Sequence, residues 1–287
     1  MEVVMIRFPI IDTHLHLWDI THLDYPWLKD VPYINRSVTL ADYNAACGPV
    51  KVEKMVFMQC ECKPSQYTQE VAWISELAKK DKRLQGIVSW APLEKGEAVR
   101  SEIKALKKNP LVKGIRRIIQ FEDDLKFCLR PDFIAGVRLL AEYGLTFDIC
   151  IDHRHTANTI RLVEQCPDVR FMLDHIGKPD IKGKRTEPWK SEIKELSAFS
   201  HVYCKVSSLA TEADHERWTL DDIAPFVEHI FDCFGTERTV WAGDWPVSSQ
   251  AAAIPVCVET TEHFLRGVGE EEKRRVFYDN ALSFYRL

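Results

Sequence analysis

Short apolar runs alternate along the chain with stretches whose apolar residues recur at three- and four-residue spacing. The runs 10–16, 54–61, 84–91, 112–119, 145–151, 169–174, 202–206 and 239–243 read as strands, bounded by glycine, proline and polar turn residues. Between and after them, 65–80, 97–108, 132–143, 156–166, 189–199, 220–234, 251–265 and 271–285 carry helical spacing, as at Val71, Ile74, Leu77 and Ala78. Thr39 followed by Asp42 signals one more helix start, with Gly48 and Pro49 as its stop. Residues 18–33 are rich in aromatics and prolines (Tyr25, Pro26, Trp27, Pro32 and Tyr33) and too irregular for either element; a loop this long is usually functional, its aromatics walling a pocket or covering the barrel end. Strand and helix thus alternate with a period of roughly 30 residues, which makes parallel βαβ units. Eight such units predict a closed (β/α)8 TIM barrel, read as a single domain over 1–287. No Gly-x-Gly-x-x-Gly turn follows a strand, so a doubly wound dinucleotide fold has no support, and no Pro/Gly/Ser-rich linker divides the chain.

Composition narrows the picture little further. Of 287 residues, 46% are hydrophobic, ample for one core, and no window approaches the ~18 unbroken apolar residues of a membrane span. Net charge is −5 with acids and bases intermixed, which predicts neither a nucleic-acid nor a membrane partner. Nine cysteines, an odd and scattered number, fall partly in apolar strands and helices. Reduced thiols in a cytoplasmic protein are the expectation. The opening residues 1–8 contain Glu2 and Arg7 and no apolar stretch with a cleavage site, so no export signal is expected.

The chemistry collects at strand ends. His14 and His16 are two residues apart on a strand and project to the same face, with Asp12 one step behind. An edge strand carrying two surface histidines is the plainer reading of that pair. The far end of the chain argues against it, because the apolar run 240–243 finishes in Asp244 and Trp245. In a barrel, functional residues lie at the C-terminal strand ends. Those positions also hold Gln59, Glu61, Trp90, Arg116, Arg117, Asp152, His153, Asp174, His175, Lys205 and Ser207. Several have structural alternatives. Arg116 or Arg117 could pair with a rim acid, Lys205 could be a buried ion pair, His153 could be a solvated loop residue, and Asp174 could orient a neighbour. His22, His201, His215, His229 and His263 fall away from strand ends and are assigned no role.

The runs IDTHLHLWD, GIRRIIQ, FCLRPDF, FDICIDH, LDHIGKPDI, VYCKVSSL and WAGDWPV, spread nearly end to end, resemble the amidohydrolase superfamily. Within it they are similar to the amidohydrolase-2 branch and its sugar-lactone hydrolases. That resemblance implies a hydrolase opening an aldono-1,4-lactone, such as L-fuconolactone or L-rhamnonolactone, to the sugar acid. It makes His14, His16 and Asp244 metal ligands, Asp244 also the acceptor of the attacking water's proton, and His175 the strand-six histidine. Strand four carries Arg116 and Arg117 in place of the lysine or glutamate that bridges two metals, which implies at most one divalent ion, zinc being the first choice. Members of the branch also hydrolyse lactones without metal, so catalysis by His153, His175 and the arginines alone stays open. Arg116, Arg117, Gln59 and Lys178 are expected to bind the lactone hydroxyls, and Trp18 and Trp245 to pack on its carbon face. The expected partner is the small-molecule lactone, with a homo-oligomer open. Two other functions are carried: a metal-dependent decarboxylase of the same branch, and a non-catalytic barrel serving as a binding subunit.

Overall fold

A computed structural model describes residues 8–287. The reading of the first seven residues as free of an export signal lies outside them. Eight strands follow one another around a single sheet: β1 (Ile10–Leu15), β2 (Val52–Met58), β3 (Leu84–Ser89), β4 (Val112–Ile115), β5 (Thr146–Ile149), β6 (Phe171–Leu173), β7 (Val202–Val206) and β8 (Thr239–Trp241). Every neighbouring pair from β1 to β8 is parallel. The larger helices between them are α1 (Leu40–Cys47), α2 (Tyr67–Lys80), α3 (Arg100–Lys107), α4 (Pro131–Glu142), α5 (Thr156–Gln165), α6 (Trp189–Ser197) and α7 (Leu220–Phe234), followed by α8 (Ile254–Phe264), α9 (Glu270–Arg274) and α10 (Asn280–Tyr285). This is the (β/α)8 barrel, and among the described residues no helix is long and apolar enough to cross a membrane.

Local signals explain where elements begin and stop. Thr39 and Asp42 form a reciprocal capping box at α1, each bonding the other's backbone N–H, and Gly48 ends that helix at positive φ. The irregular stretch after β1 holds two short 3-10 turns, Pro26–Asp30 and Pro32–Ile34, each opened by a proline preset for a helical φ. The apolar runs overshoot the strands they signal. β2 stops at Met58 and β4 at Ile115, because beyond them the chain leaves the regular ladder; Ile118 and Ile119 are buried past its end, where Ile119 N–H donates to the Cys150 carbonyl at 2.9 Å. The final helical stretch, too, is divided, with a π-helical turn at Arg275–Asp279 between α9 and α10.

Strand alternation sorts the side chains into two cores. On β2, Met55 and Phe57 face the helices, while Val56 and Met58 join Ile11, Val88, Met172 and Val240 inside the barrel. Tyr278, Ala281, Phe284 and Tyr285 from the C-terminal segment seal this interior. Each fully buried side chain of this kind contributes about 1.5–3 kcal/mol. Above the apolar floor lies a charged layer: Lys205 Nζ donates to Asp148 Oδ2 at 2.7 Å and to Asp174 Oδ1 at 2.9 Å, and the Tyr285 hydroxyl donates to Asp148 Oδ2 at 2.6 Å. Lys205 is the buried structural ion pair.

The ring closes between its first and last strands through a few specific bonds. Leu15 bridges Trp245, His16 N–H donates to the Trp245 carbonyl at 2.9 Å, and Thr13 Oγ1 donates to the Trp241 carbonyl at 3.0 Å. Buried Asp12 accepts from His14 N–H at 3.0 Å, Gly243 N–H at 2.9 Å and the Tyr43 hydroxyl at 2.7 Å. Only glycine fits at 243, since a Cβ there would stand 2.5 Å from Asp12 Oδ2.

Candidate active site

At the mouth formed by the C-terminal strand ends, a cavity of about 360 Å3 opens over the β1–β8 seam. Its lining includes His16, Glu61, Arg116, Gln120, His175, Lys178 and Asp244 among polar groups, and Pro26, Trp27, Trp90, Ile118, Phe121 and Val247 among apolar ones. His14 lies beneath, fully buried.

The floor is an acid ringed by three imidazoles. Asp244 Oδ1 is 3.4 Å from His14 Nε2, 3.4 Å from His16 Nε2 and 3.8 Å from His175 Nε2. Its other oxygen accepts a hydrogen bond from Ser208 Oγ. Burial pushes the Asp244 carboxyl up, but His175, His16 and His14 overcome this and hold it well below the ordinary carboxylate range. Burial moves the imidazoles the other way. His175 is lowered to about 4 and His14 lies well below its ordinary value, Lys205 adding to the effect at His14 and Lys178 and Arg116 at His175. At neutral pH, therefore, Asp244 is ionised while His14 and His175 are neutral.

Hydrogen bonds fix the ring nitrogens. His16 Nδ1–H donates to the Met58 carbonyl at 2.9 Å, leaving a lone pair on Nε2. His14 Nε2 accepts from Arg116 Nη1 at 3.0 Å, so it too carries a lone pair. Arg116 is held by the Gln59 carbonyl at 2.6 Å and lies 3.6 Å from Asp174. His175 Nδ1 pairs with Ser207 Oγ at 2.8 Å. Lys178 Nζ, at the opposite side, is 3.9 Å from Glu212.

The backbone around this floor is strained. His175, Ile176 and Lys178 have φ values of 53°, 51° and 45°, so the turn after β6 winds left-handed and aims both His175 and Lys178 at the cavity. Asp244 is at φ 51° and Ser208 at φ 52°. Such backbone costs a non-glycine residue about 1–2 kcal/mol and persists where surrounding bonds hold it.

The donor set suits one divalent ion. A tetrahedral ion with ligands at about 2.0–2.1 Å sets neighbouring ligand atoms about 3.3–3.4 Å apart. His14 Nε2 and His16 Nε2 stand 3.1 Å apart, each 3.4 Å from Asp244 Oδ1. In the tautomers above, two lone pairs and a carboxylate oxygen converge with no proton between them, an arrangement a cation satisfies. Arg116 competes for the His14 lone pair, so positive charge stands at this point by either route. The overlapping set His14, Asp174 and His175 is less suited, because Lys205 already holds Asp174.

Of the eleven residues given a site role from the sequence, the structure brings His14, His16, Arg116, His175, Lys178 and Asp244 to one place and leaves five outside it; the strand-end residues Glu61 and Trp90 join the lining. Trp18 is fully buried away from the cavity, its ring N–H bonded to the Arg36 carbonyl at 2.7 Å, because the chain turns outward to pair with Val38. Trp245 is turned down against Tyr43, ring centroids 5.6 Å apart, by the seam bond its carbonyl makes. Arg117 points to the rim, pairing with Glu122 at 2.6 Å and Glu94 at 3.3 Å. Gln59 spends its amide on Glu61. His153 lies behind the Lys178 loop, Nδ1 3.3 Å from the Lys178 carbonyl, and is not part of the lining. Of the wall residues, Trp27 comes from the aromatic and proline stretch whose rings the sequence offers as pocket walls or as a cover for the barrel end; Gln120 and Phe121 escaped the sequence reading, as they sit in a loop with no periodicity.

Fold and site together define a class. Residues 11–287 match the Amidohydrolase family, and the chain belongs to it. It is similar to L-fucono-1,5-lactonase of Burkholderia ambifaria, 29% identical over 285 residues that cover 96% of this chain and 95% of that one. It is also similar to L-rhamnono-gamma-lactonase of Scheffersomyces stipitis, 24% identical across 99% of this chain and 100% of that one. Among solved structures, an amidohydrolase from Burkholderia multivorans with bound zinc superposes with a TM-score of 0.87 at 25% identity, covering 98% of this chain and all of the other.

Proposed function

We propose that this protein hydrolyses a sugar-derived lactone to the open-chain sugar acid. The observation that carries the reading is an ionised Asp244, one oxygen tied to Ser208, in a cavity whose lining it shares with the donors Arg116, His175 and Lys178. Full-length similarity to two lactonases supports the same chemistry.

Opening a lactone needs an activated water, a stabilised carbonyl oxygen and a proton for the leaving oxygen. Asp244 Oδ1 takes the proton of the attacking water and later delivers it to the ring oxygen as the C–O bond breaks. Ser208 holds Oδ2, so one oxygen does both. Neutral His175, with Nδ1 engaged by Ser207, presents Nε2–H toward the carbonyl oxygen, and the cations Arg116 and Lys178 strengthen that donor set as negative charge develops. Trp27 and Trp90 offer apolar faces to the carbon skeleton, with Phe121 exposed at the rim of the cavity. A zinc ion held by His14, His16 and Asp244 would supply Lewis acidity and lower the pKa of water. The nine free cysteines, seven of them buried, support a cytoplasmic setting.

Asp244→Asn tests the reading. Its expected effect is loss of acid release from a panel of aldonolactones, followed with a pH indicator, with the thermal transition retained. Retention of most wild-type turnover removes Asp244 from the chemistry, and carbon dioxide release by the wild type from a parallel panel of unsaturated carboxylic acids, with no ring opening of the lactones, redirects the reading to a decarboxylase.

A further inference from the structure

Glu61 follows β2 and has a backbone like that of the catalytic floor. It is at φ 51°, and the other non-glycine residues with positive φ include His175, Lys178 and Asp244, which line the same cavity, and Ser208, which bonds Asp244. Strained backbone concentrated around one cavity marks groups held there for contact with a ligand. Gln59 supplies the restraint: its Nε2 donates to Glu61 Oε1 at 2.7 Å and its Oε1 accepts from Glu61 N–H at 2.7 Å. A fully buried amide is thereby devoted to holding one carboxylate in place.

The chemistry of the lining gives that carboxylate a task. Glu61 and Asp244 are the two carboxylates among the described lining residues, and Asp244 is committed to the water and the floor imidazoles. The remaining charged lining groups, Arg116, Lys178 and Lys63, can only donate hydrogen bonds. Glu61 Oε2 makes no hydrogen bond among the described residues, and Glu61 forms no ion pair there. A polyhydroxylated ring entering this space brings O–H donors that need an acceptor. Resting on the lactonase reading for the nature of that ring, we propose that Glu61 is a specificity-determining residue that accepts hydrogen bonds from substrate hydroxyls and selects polyol lactones over unsubstituted ones.

The test joins binding to turnover. L-Galactono-1,4-lactone is titrated into Asp244→Asn protein and into the double variant carrying Glu61→Ala, following the change in intrinsic tryptophan fluorescence, to which Trp27 and Trp90 in the lining contribute. Turnover of the same lactone is measured for wild type, Glu61→Ala and Glu61→Gln. Loss of hydrogen bonds to a charged acceptor is expected to raise Kd and KM about tenfold or more. Glu61→Gln, which keeps one acceptor oxygen, falls between, and kcat stays within about threefold of wild type. Glu61→Asn, a side chain that tolerates left-handed backbone, replaces the alanine variant if that one fails to fold. Unchanged Kd and KM overturn the proposal, as does a kcat that falls as far as kcat/KM. Binding that depends on Glu61 without ring opening by wild type overturns the lactonase reading and leaves Glu61 a polyol-binding group; no binding at all overturns both.

Discussion

Glu70, in the first turn of α2, is a buried carboxyl with no basic partner among the described residues, and replacing it with glutamine should change how stability depends on pH. Its carboxyl accepts from Cys60 N–H at 3.3 Å and is 1% exposed. Burial pushes it from 4.5 up to about 8, against the opposing pull of that amide. The folded state thus keeps a proton that the unfolded chain gives up at ordinary acidity. The associated stability is complete below the unfolded value, and it is lost as pH rises through the folded one. At about 1.4 kcal/mol per tenfold change in proton affinity, the interval amounts to roughly 4–5 kcal/mol. Glu70→Gln keeps the shape and removes the proton. Urea unfolding of both proteins between about pH 5 and about pH 9 should show the variant gaining on wild type by a few kcal/mol as pH rises. Parallel stability curves for the two proteins would refute the reasoning.

Lys205→Met leaves Asp148 buried without its cation and, among the described residues, Asp174 with only Arg116, 3.6 Å away, and should cost about 3–5 kcal/mol in urea unfolding; a loss within about 1 kcal/mol would show that the layer is not held by charge. Metal analysis of purified protein should find at most about one zinc per chain, reduced by His14→Ala and His16→Ala. Two tightly held ions would overturn the single-ion site, and a rate unchanged by complete chelation would assign the histidines to hydrogen bonding and the arginine to the oxyanion.

Barrel architecture was legible because each strand and helix carries its own period, and because strand-end positions can be read off once the count reaches eight. The floor of the site followed from that count: His14 and His16 stand at the end of the first run, and His175 and Asp244 each one residue past a later one. Side-chain direction beyond the strand was not legible. Arg116 and Arg117 are adjacent and alike in sequence, yet the chain leaves the ladder after Ile115 and sends one under the cavity and the other to the rim. Trp18 and Trp245 failed for the same reason, since seam and loop bonds that link distant parts of the chain decide which way each ring turns. Glu61 stood among the strand-end positions, but its significance lies in a positive φ that no periodicity records.

The same bonds that close the barrel also build its floor. His14 and His16 come from the first strand and Asp244 from just beyond the last, joined across 228 residues by the Thr13–Trp241 bond and across 231 by Asp12 and Gly243. Asp12 fixes the backbone of His14 and of the residue before Asp244 with one carboxyl, so the separation of ligand and acid is set by the seam and not by either loop alone. A sheet lacking either edge strand can contain every other strand and still assemble no site. Packing in the rest of the barrel therefore reaches the His14, His16 and Asp244 floor through the register between β1 and β8, while the donors Arg116 and His175 are set by the ends of β4 and β6. That accounts for the density of polar bonds at a seam where the regular ladder is absent: specific donors and acceptors hold a spacing to a fraction of an ångström, which non-directional apolar contact does not.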